Sequence, residues 1–207
     1  LQKRIPAGAG LGGGSSDAAA ALIGLNRLWG LGMSRDQLAG AAAGLGSDLP
    51  FFLQGGTAVV TGRGTEVHPL PDRVDYLMLI VDPGQPLSTA QVYAQLQDAL
   101  TPPAKIGSMS RFGRTPTGDV EAWVRVGNDL EPHARSLCPA IGEIKDRLLR
   151  AGATAAAMTG SGSAVFGVFR QAAAVGRAAR DMERRGWSAL PATPLGRRDY
   201  LRRLGVS

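Results

Sequence analysis

The sequence predicts an α+β protein. Three observations carry this: helix-type patterning over residues 15–45, short β-branched or apolar runs at 57–60, 65–67, 76–81 and 165–169, and glycine- or proline-rich punctuation between them. The 207 residues suffice for one large or two small domains with real cores. Residues 69–75, with two prolines and two aspartates, read as a seam, so the expected division is 1–70 and 71–207. No apolar run approaches the length of a membrane span, and residues 1–16 are basic and then glycine-rich rather than signal-like. A single cysteine, Cys138, rules out an internal disulfide framework. The expectation is a cytoplasmic protein. Its first residue is Leu1 and its main motif follows at once, so a missing or processed N-terminal segment is also expected.

That motif is Pro6-Ala7-Gly8-Ala9-Gly10-Leu11-Gly12-Gly13-Gly14-Ser15-Ser16, with five glycines in seven positions. Glycine at this density is poor core material and suits a backbone that must approach something closely. Directly after it, Ser15, Ser16 and Asp17 read as caps for an alanine-rich helix. A glycine loop feeding a helix N-terminus offers unpaired N–H groups to an anion, phosphate above all. A P-loop would need a lysine that is absent here; the dinucleotide fingerprint is matched literally by Gly8, Gly10 and Gly13 but lacks the strand and acid that should follow. A plain flexible linker is the bland alternative.

The helix over 15–29 carries Leu22, Leu25, Leu28 and Trp29 as an apolar stripe, with Trp29 expected in the core. Gly30-Leu31-Gly32 turns into a second helix over 34–45, with Leu38, Ala42 and Leu45 on one face; the pair reads as a hairpin covering a sheet, ended by Gly46. Asp48 is an isolated acid, and Pro50 should hold Leu49 out of the α region. By spacing alone Asp48 reads as a turn cap. Residues 56–68 read as a β-hairpin turning at Gly62-Arg63-Gly64. His68 and His133 are the only histidines and lack metal-site spacing, so no zinc-type site is expected. A buried strand at 76–81 leads through a Pro/Gly turn to a helix capped by Ser88 or Thr89. Residues 101–119 read as a long loop, mobile or a lid. A short helix with Trp123 precedes Asn128-Asp129-Leu130-Glu131, and an amphipathic helix covers 139–151 with Ile141, Ile144, Leu148 and Leu149 inward. Residues 156–169 read as two strands around Gly160-Ser161-Gly162-Ser163, and a helix covers 171–180.

The glycine motif resembles the phosphate loop of the GHMP kinases, the family of galactokinase and of the homoserine and mevalonate kinases. Its Gly-Leu-Gly-Gly-Gly-Ser-Ser spelling is closest to the branch serving the non-mevalonate route to isoprenoid precursors, whose acceptor is the 2-hydroxyl of a diphosphocytidyl-linked methylerythritol. The resemblance implies a two-domain GHMP kinase fold: part of an S5-like N-terminal domain, then a ferredoxin-like α/β sandwich. It implies ATP and Mg2+, a small-molecule substrate, residues 6–16 around the triphosphate, and the serine region helping to hold magnesium. Gly46-Ser47-Asp48-Leu49-Pro50 is similar to the segment carrying the family's catalytic base, which points to Asp48. Thr89 and Tyr93 match positions lining the substrate pocket. Asn128-Asp129-Leu130-Glu131 also has a family counterpart, expected near the domain interface. Gly160-Ser161-Gly162-Ser163 resembles the family's third motif, which faces the phosphate loop. Members begin with a further segment bearing a lysine that partners the aspartate and residues that grip the cytosine; Lys3, Lys105 and Lys145 do not match its context. As printed, the chain is expected to bind nucleotide weakly and turn over little.

Charge is uneven. Residues 170–207 hold nine arginines against three acids, which supplies the whole net charge of +6. This reads as a solvated helix and tail, with nucleic-acid binding disfavoured. Another GHMP kinase, of the homoserine or mevalonate type, and a non-enzymatic anion- or nucleic-acid-binding domain remain the alternatives. The oligomeric state is not legible.

Overall fold

The computed structural model describes residues 2–99 and 120–206, so the expected loop over 101–119 lies outside the described residues. The chain forms two compact units that interleave in sequence: residues 1–11 with 76–193, and residues 12–75 with 194–207. The sequence reading instead drew one boundary after residue 70.

The larger unit is built on a four-stranded antiparallel sheet. Its first strand, β3 (Leu77–Asp82), is central and alternates buried and half-buried residues. It is numbered after the hairpin strands β1 (Ala58–Thr61) and β2 (Glu66–Pro69) of the other unit. The strand order is β4 (Ala155–Met158), β5 (Val165–Phe169), β3, β6 (Ser188–Ala192). Helices α4 (Thr89–Ala99), α5 (Val120–Arg125), α6 (Glu131–Leu137) and α7 (Ala140–Arg150) intervene between β3 and β4; α8 (Ala172–Glu183) connects β5 to β6. This is the split β-α-β-β-α-β arrangement expected for a ferredoxin-like sandwich. Leu79 and Val81 of β3 and Val165 and Phe169 of β5 share one core with Ile141, Ile144 and Leu148 of α7 and Ala178 and Met182 of α8. Leu149, expected inward, is exposed because it sits one residue off the 141–144–148 face. The strand β6 has no counterpart in the sequence reading; Pro191 within its five residues masks its alternation.

Arginines of α7 and of the turn after α8 meet acids. Arg147 bridges Glu143 and Asp181, Arg185 reaches Glu143 at 2.8 Å, and Arg184 lies 3.6 Å from Asp181. Deeper in this unit, Glu121 is 4 % exposed and takes a two-point grip from Arg170 at 2.7 and 2.8 Å, with the Thr154 hydroxyl donating at 2.8 Å. The Arg170 bonds hold its carboxyl down at about 2, against the pull of burial.

The smaller unit packs α1 (Gly13–Leu28), α2 (Arg35–Ala43) and α3 (Leu49–Gln54) around Ala19, Ile23, Leu38, Ala42, Leu49 and Leu53. The buried face of α1 is therefore Ala19 and Ile23, one turn apart. Leu25 borders on exposed, and Leu28 and Trp29 are 78 % and 64 % exposed, since they lie well round the helix from Ile23. The expected leucine-tryptophan stripe and the core role of Trp29 are thus overturned, and Leu45 is exposed as well. Helix α2 opens on a complete cap: Ser34 and Gln37 form a capping box, and Gly30 and Gly32 turn the chain at φ +61° and +64°. It ends at Ala43, ahead of Gly46. Both α1 and α2 pack on α3 in place of the expected sheet. Strands β1 and β2 form the expected antiparallel hairpin.

The C-terminal helix α9 (Arg197–Arg203) belongs to this unit and does structural work. Arg197 donates to the carbonyls of Gly55 and Thr57, its backbone N–H donates to Asp72, and Tyr200 donates to the Phe52 carbonyl at 2.7 Å. Burial pushes the Tyr200 hydroxyl's pKa up. The tail read as solvated is thus in part a clamp on α3 and the turn after it.

Candidate functional site

In the larger unit the glycine-rich loop lies against the Gly160–Ser163 loop, backbone on backbone. The Leu87 N–H donates to the Gly8 carbonyl, the Ala164 N–H to Ala9, and the Thr159 hydroxyl to Gly10 at 2.8 Å. A Cβ on Gly10 would collide with the Thr159 carbonyl and come within 2.9 Å of the Gly162 nitrogen, and Gly10 stands at φ +73°. Glycine at position 10 is therefore set by the second loop as well as by any ligand. Ala9 is buried, whereas Pro6, Ala7 and Gly8 are exposed. The two signatures, 149 residues apart at Gly10 and Thr159, are in direct contact.

The second loop divides in two. Gly160 is exposed and Ser161 half-buried; the Ser161 hydroxyl lies 2.9 Å from that of Thr89 at the start of α4. Gly162 and Ser163 are buried, and Ser163 donates to the Gln85 carbonyl. Ser163 is thus scaffold, while Ser161 and Thr89 present hydroxyls at the surface. Tyr93, one turn along α4, is 49 % exposed. Behind this loop Asn128 donates to the carbonyls of Met158 and Gly160, and buried Glu131 pairs with Lys145 at 2.6 Å. Lys145 is thereby committed to Glu131. Leu11, Asn128 and Thr159 also line a cavity of about 660 Å³ walled by Met78, Ile80, Phe166 and Trp123.

In the smaller unit, helix α1 begins at Gly13, two residues before the serines expected to cap it. Its N-cap is Gly12 at φ +65°, and no side chain caps it. A Cβ on Gly12 would strike the Phe52 ring. Ser15 and Ser16 lie inside the first turn, where Ser16 bonds back to the Gly13 carbonyl. At the boxed end of α2 the Ser34 side chain takes an N–H, whereas the first N–H groups of α1 have no intrahelical acceptor and Gly12 has no side chain to offer them.

Asp48 precedes α3. Pro50 occupies the first turn of this helix, where a missing N–H costs nothing, so Leu49 is helical, contrary to expectation. The Asp48 side chain makes no capping bond; it is exposed and, among the described residues, accepts a long contact of 3.4 Å from the neighbouring Ser47 hydroxyl. The capping explanation for this carboxylate therefore fails. No group of three His, Cys, Asp or Glu able to hold a metal occurs among the described residues, and no described helix is long and apolar enough to cross a membrane.

The family profile described as GHMP kinases N terminal domain matches residues 1–56, and the one described as GHMP kinases C terminal matches 116–188. A 4-diphosphocytidyl-2-C-methyl-D-erythritol kinase of Syntrophotalea carbinolica is 42 % identical over 196 residues, covering 94 % of this chain and 68 % of the relative. The chain belongs to the GHMP kinase family. A GHMP kinase of the same name from Solibacter usitatus is 44 % identical over 86 % of the chain, which spans only 57 % of that relative's length. Among solved structures, a 4-(cytidine 5'-diphospho)-2C-methyl-D-erythritol kinase superposes with TM-score 0.72 at 34 % identity, over 95 % of this chain and 70 % of that one. A homoserine kinase from Cytophaga hutchinsonii reaches TM-score 0.70 at 19 % identity, which shows the shared GHMP fold alone.

Sequence reasoning missed Thr159, Gln85 and the bonding of Asn128. Nothing in the local pattern marks Thr159, because the acceptor of its hydroxyl, the Gly10 carbonyl, lies 149 residues away.

Proposed function

We propose that this GHMP kinase phosphorylates the 2-hydroxyl of 4-diphosphocytidyl-2-C-methyl-D-erythritol from ATP, in non-mevalonate isoprenoid precursor synthesis. The observation that carries the reading is the uncapped start of α1 directly after a loop with three glycines at positive φ. Such an end attracts a phosphate through its free N–H groups and the positive pole of the helix. A Cβ on Gly8, Gly10 or Gly12 would strike Pro86, Thr159 or Phe52, so the fit to a polyphosphate rests on the open N–H groups at the start of α1.

Residues 6–16 hold the phosphates. Magnesium has no dedicated cage among the described residues and would enter with the nucleotide, with Ser15 and Ser16 as its protein-side oxygens. Asp48 accepts the proton of the attacking hydroxyl, and its freedom from capping supports that role. Thr89 and Tyr93 contact the acceptor, and Gly160 and Ser161 bound the phosphate loop. The substrate assignment rests on relatives 40–44 % identical that bear that name.

The test is ADP release from Mg-ATP by the protein expressed from its complete reading frame, offered the diphosphocytidyl alcohol, homoserine and mevalonate. Turnover with the first alone is expected. Turnover only with another alcohol would keep the family and discard the substrate.

A further inference from the structure

We infer that Asn128 is a positioning residue for the glycine-rich loop, acting through Met158, Thr159 and Gly160. This rests on reading residues 6–16 as the nucleotide-phosphate loop. Asn128 follows Gly127, which turns at φ +89°, and sits between α5 and α6. Its amide nitrogen donates to Gly160 at 2.8 Å and to Met158 at 3.1 Å, while its amide oxygen accepts the Leu130 N–H at 3.0 Å. One planar group thus spans two carbonyls on either side of Thr159 and is itself held from behind.

Thr159 is left with one path. Its N–H donates to Ala164, its carbonyl accepts from Gly162, and its hydroxyl donates to Gly10. There is no slack at that contact, because Gly10 already lacks room for a Cβ against the Thr159 carbonyl. A shift of the 158–160 backbone is therefore passed directly to Gly10. Glu131 adds a weaker hold on the same strand end, accepting the Met158 N–H at 3.4 Å. Only a donor serves at position 128: an isosteric carboxylate would place negative oxygen against two carbonyls.

The experiment uses Asn128→Asp and Thr159→Val in the whole chain, with two readouts: hydrogen exchange by peptide, and affinity for Mg-ADP. In Asn128→Asp, the amides of Leu87 and Ala164, which donate to the Gly8 and Ala9 carbonyls, should exchange roughly tenfold faster, with those of α8 unchanged, and Mg-ADP should bind roughly tenfold more weakly, the size of one or two lost hydrogen bonds. The affinities of the pair should combine less than additively, since both variants cut one relay. Unchanged exchange at Leu87 and Ala164, or additive effects, overturns the inference. If Asn128→Asp does not fold, Thr159→Val alone decides, because it removes the last link and leaves the Asn128 bonds in place; unaltered exchange at Leu87 and Ala164 then refutes the relay. If the wild-type chain binds no Mg-ADP, the phosphate-loop reading fails, and the exchange readout still judges the relay.

Discussion

Replacing Gly10 by alanine should be among the most damaging single-methyl changes in the chain. At φ +73° an L-residue pays about 1–2 kcal/mol for the left-handed backbone. The new Cβ also meets the Thr159 carbonyl, the Gly162 nitrogen at 2.9 Å and the Gly162 oxygen at 3.1 Å. All three are backbone atoms, so relief requires the two loops to part. Parting them strains the Thr159-to-Gly10 and Ala164-to-Ala9 bonds, each worth about 1 kcal/mol. A loss of about 3–4 kcal/mol in the larger unit follows. The matched control is Gly14→Ala, where nothing lies within 4 Å and the residue is helical; it should be neutral or stabilising by up to about 1 kcal/mol. Urea unfolding of both variants, followed by far-UV dichroism, measures the difference. A Gly10→Ala protein within about 0.5 kcal/mol of wild type, or a Gly14→Ala protein equally destabilised, would refute the claim that backbone contact dictates glycine at position 10.

Three further outcomes are expected. The Glu121 carboxyl titrates at about 2 in the folded protein against an ordinary 4.5, so the Arg170–Thr154 grip contributes fully above pH 4.5 and is lost as pH falls toward 2. Discounted for screening at the partly exposed Arg170, it is worth about 2 kcal/mol, and Glu121→Gln should flatten acid unfolding over that window in a pH series of urea midpoints. Tyr200→Phe should cost about 1 kcal/mol by removing the bond to Phe52, and Arg197→Ala about 2 kcal/mol or more, both without change in salt dependence of nucleic-acid retention; a steep salt-dependent loss in either would restore the nucleic-acid reading of the tail. Ser34→Ala should cost about 1 kcal/mol through the capping box, read as a lower midpoint for the smaller unit.

The fold was legible where pattern and chemistry agreed. The buried strand at 76–81 and the glycine hairpin near 160 were legible in the pattern, the ferredoxin-like arrangement was implied by the family resemblance alone, and the two loops that meet were both visible as glycine clusters. Failures arose where two physical signals competed. Large apolar residues drew the eye on α1, but the tight crossing on α3 is made by Ala19 and Ile23, and Trp29 lies off that face. Pro50 was read through its effect on the preceding residue, yet in a first turn it favours the helix it opens. Ser15 and Ser16 look like caps, but Gly12 at positive φ ends the loop earlier and leaves the helix end open. The arginine-rich tail carries charge that composition can count, while its bonds to Gly55, Thr57 and Asp72 depend on contacts some 125–140 residues away. For Asp48 the sequence offered a cap or a base, and the side chain's missing capping bond favours the second.

The central claim, that Asp48 is the base of an alcohol kinase whose glycine loop holds the phosphates, is tested most directly by Asp48→Asn in the protein from its complete reading frame. With the diphosphocytidyl alcohol as acceptor, ADP release should fall by roughly two to four decades while Mg-ATP affinity stays within about twofold. Turnover at the wild-type rate in that variant would contradict the account.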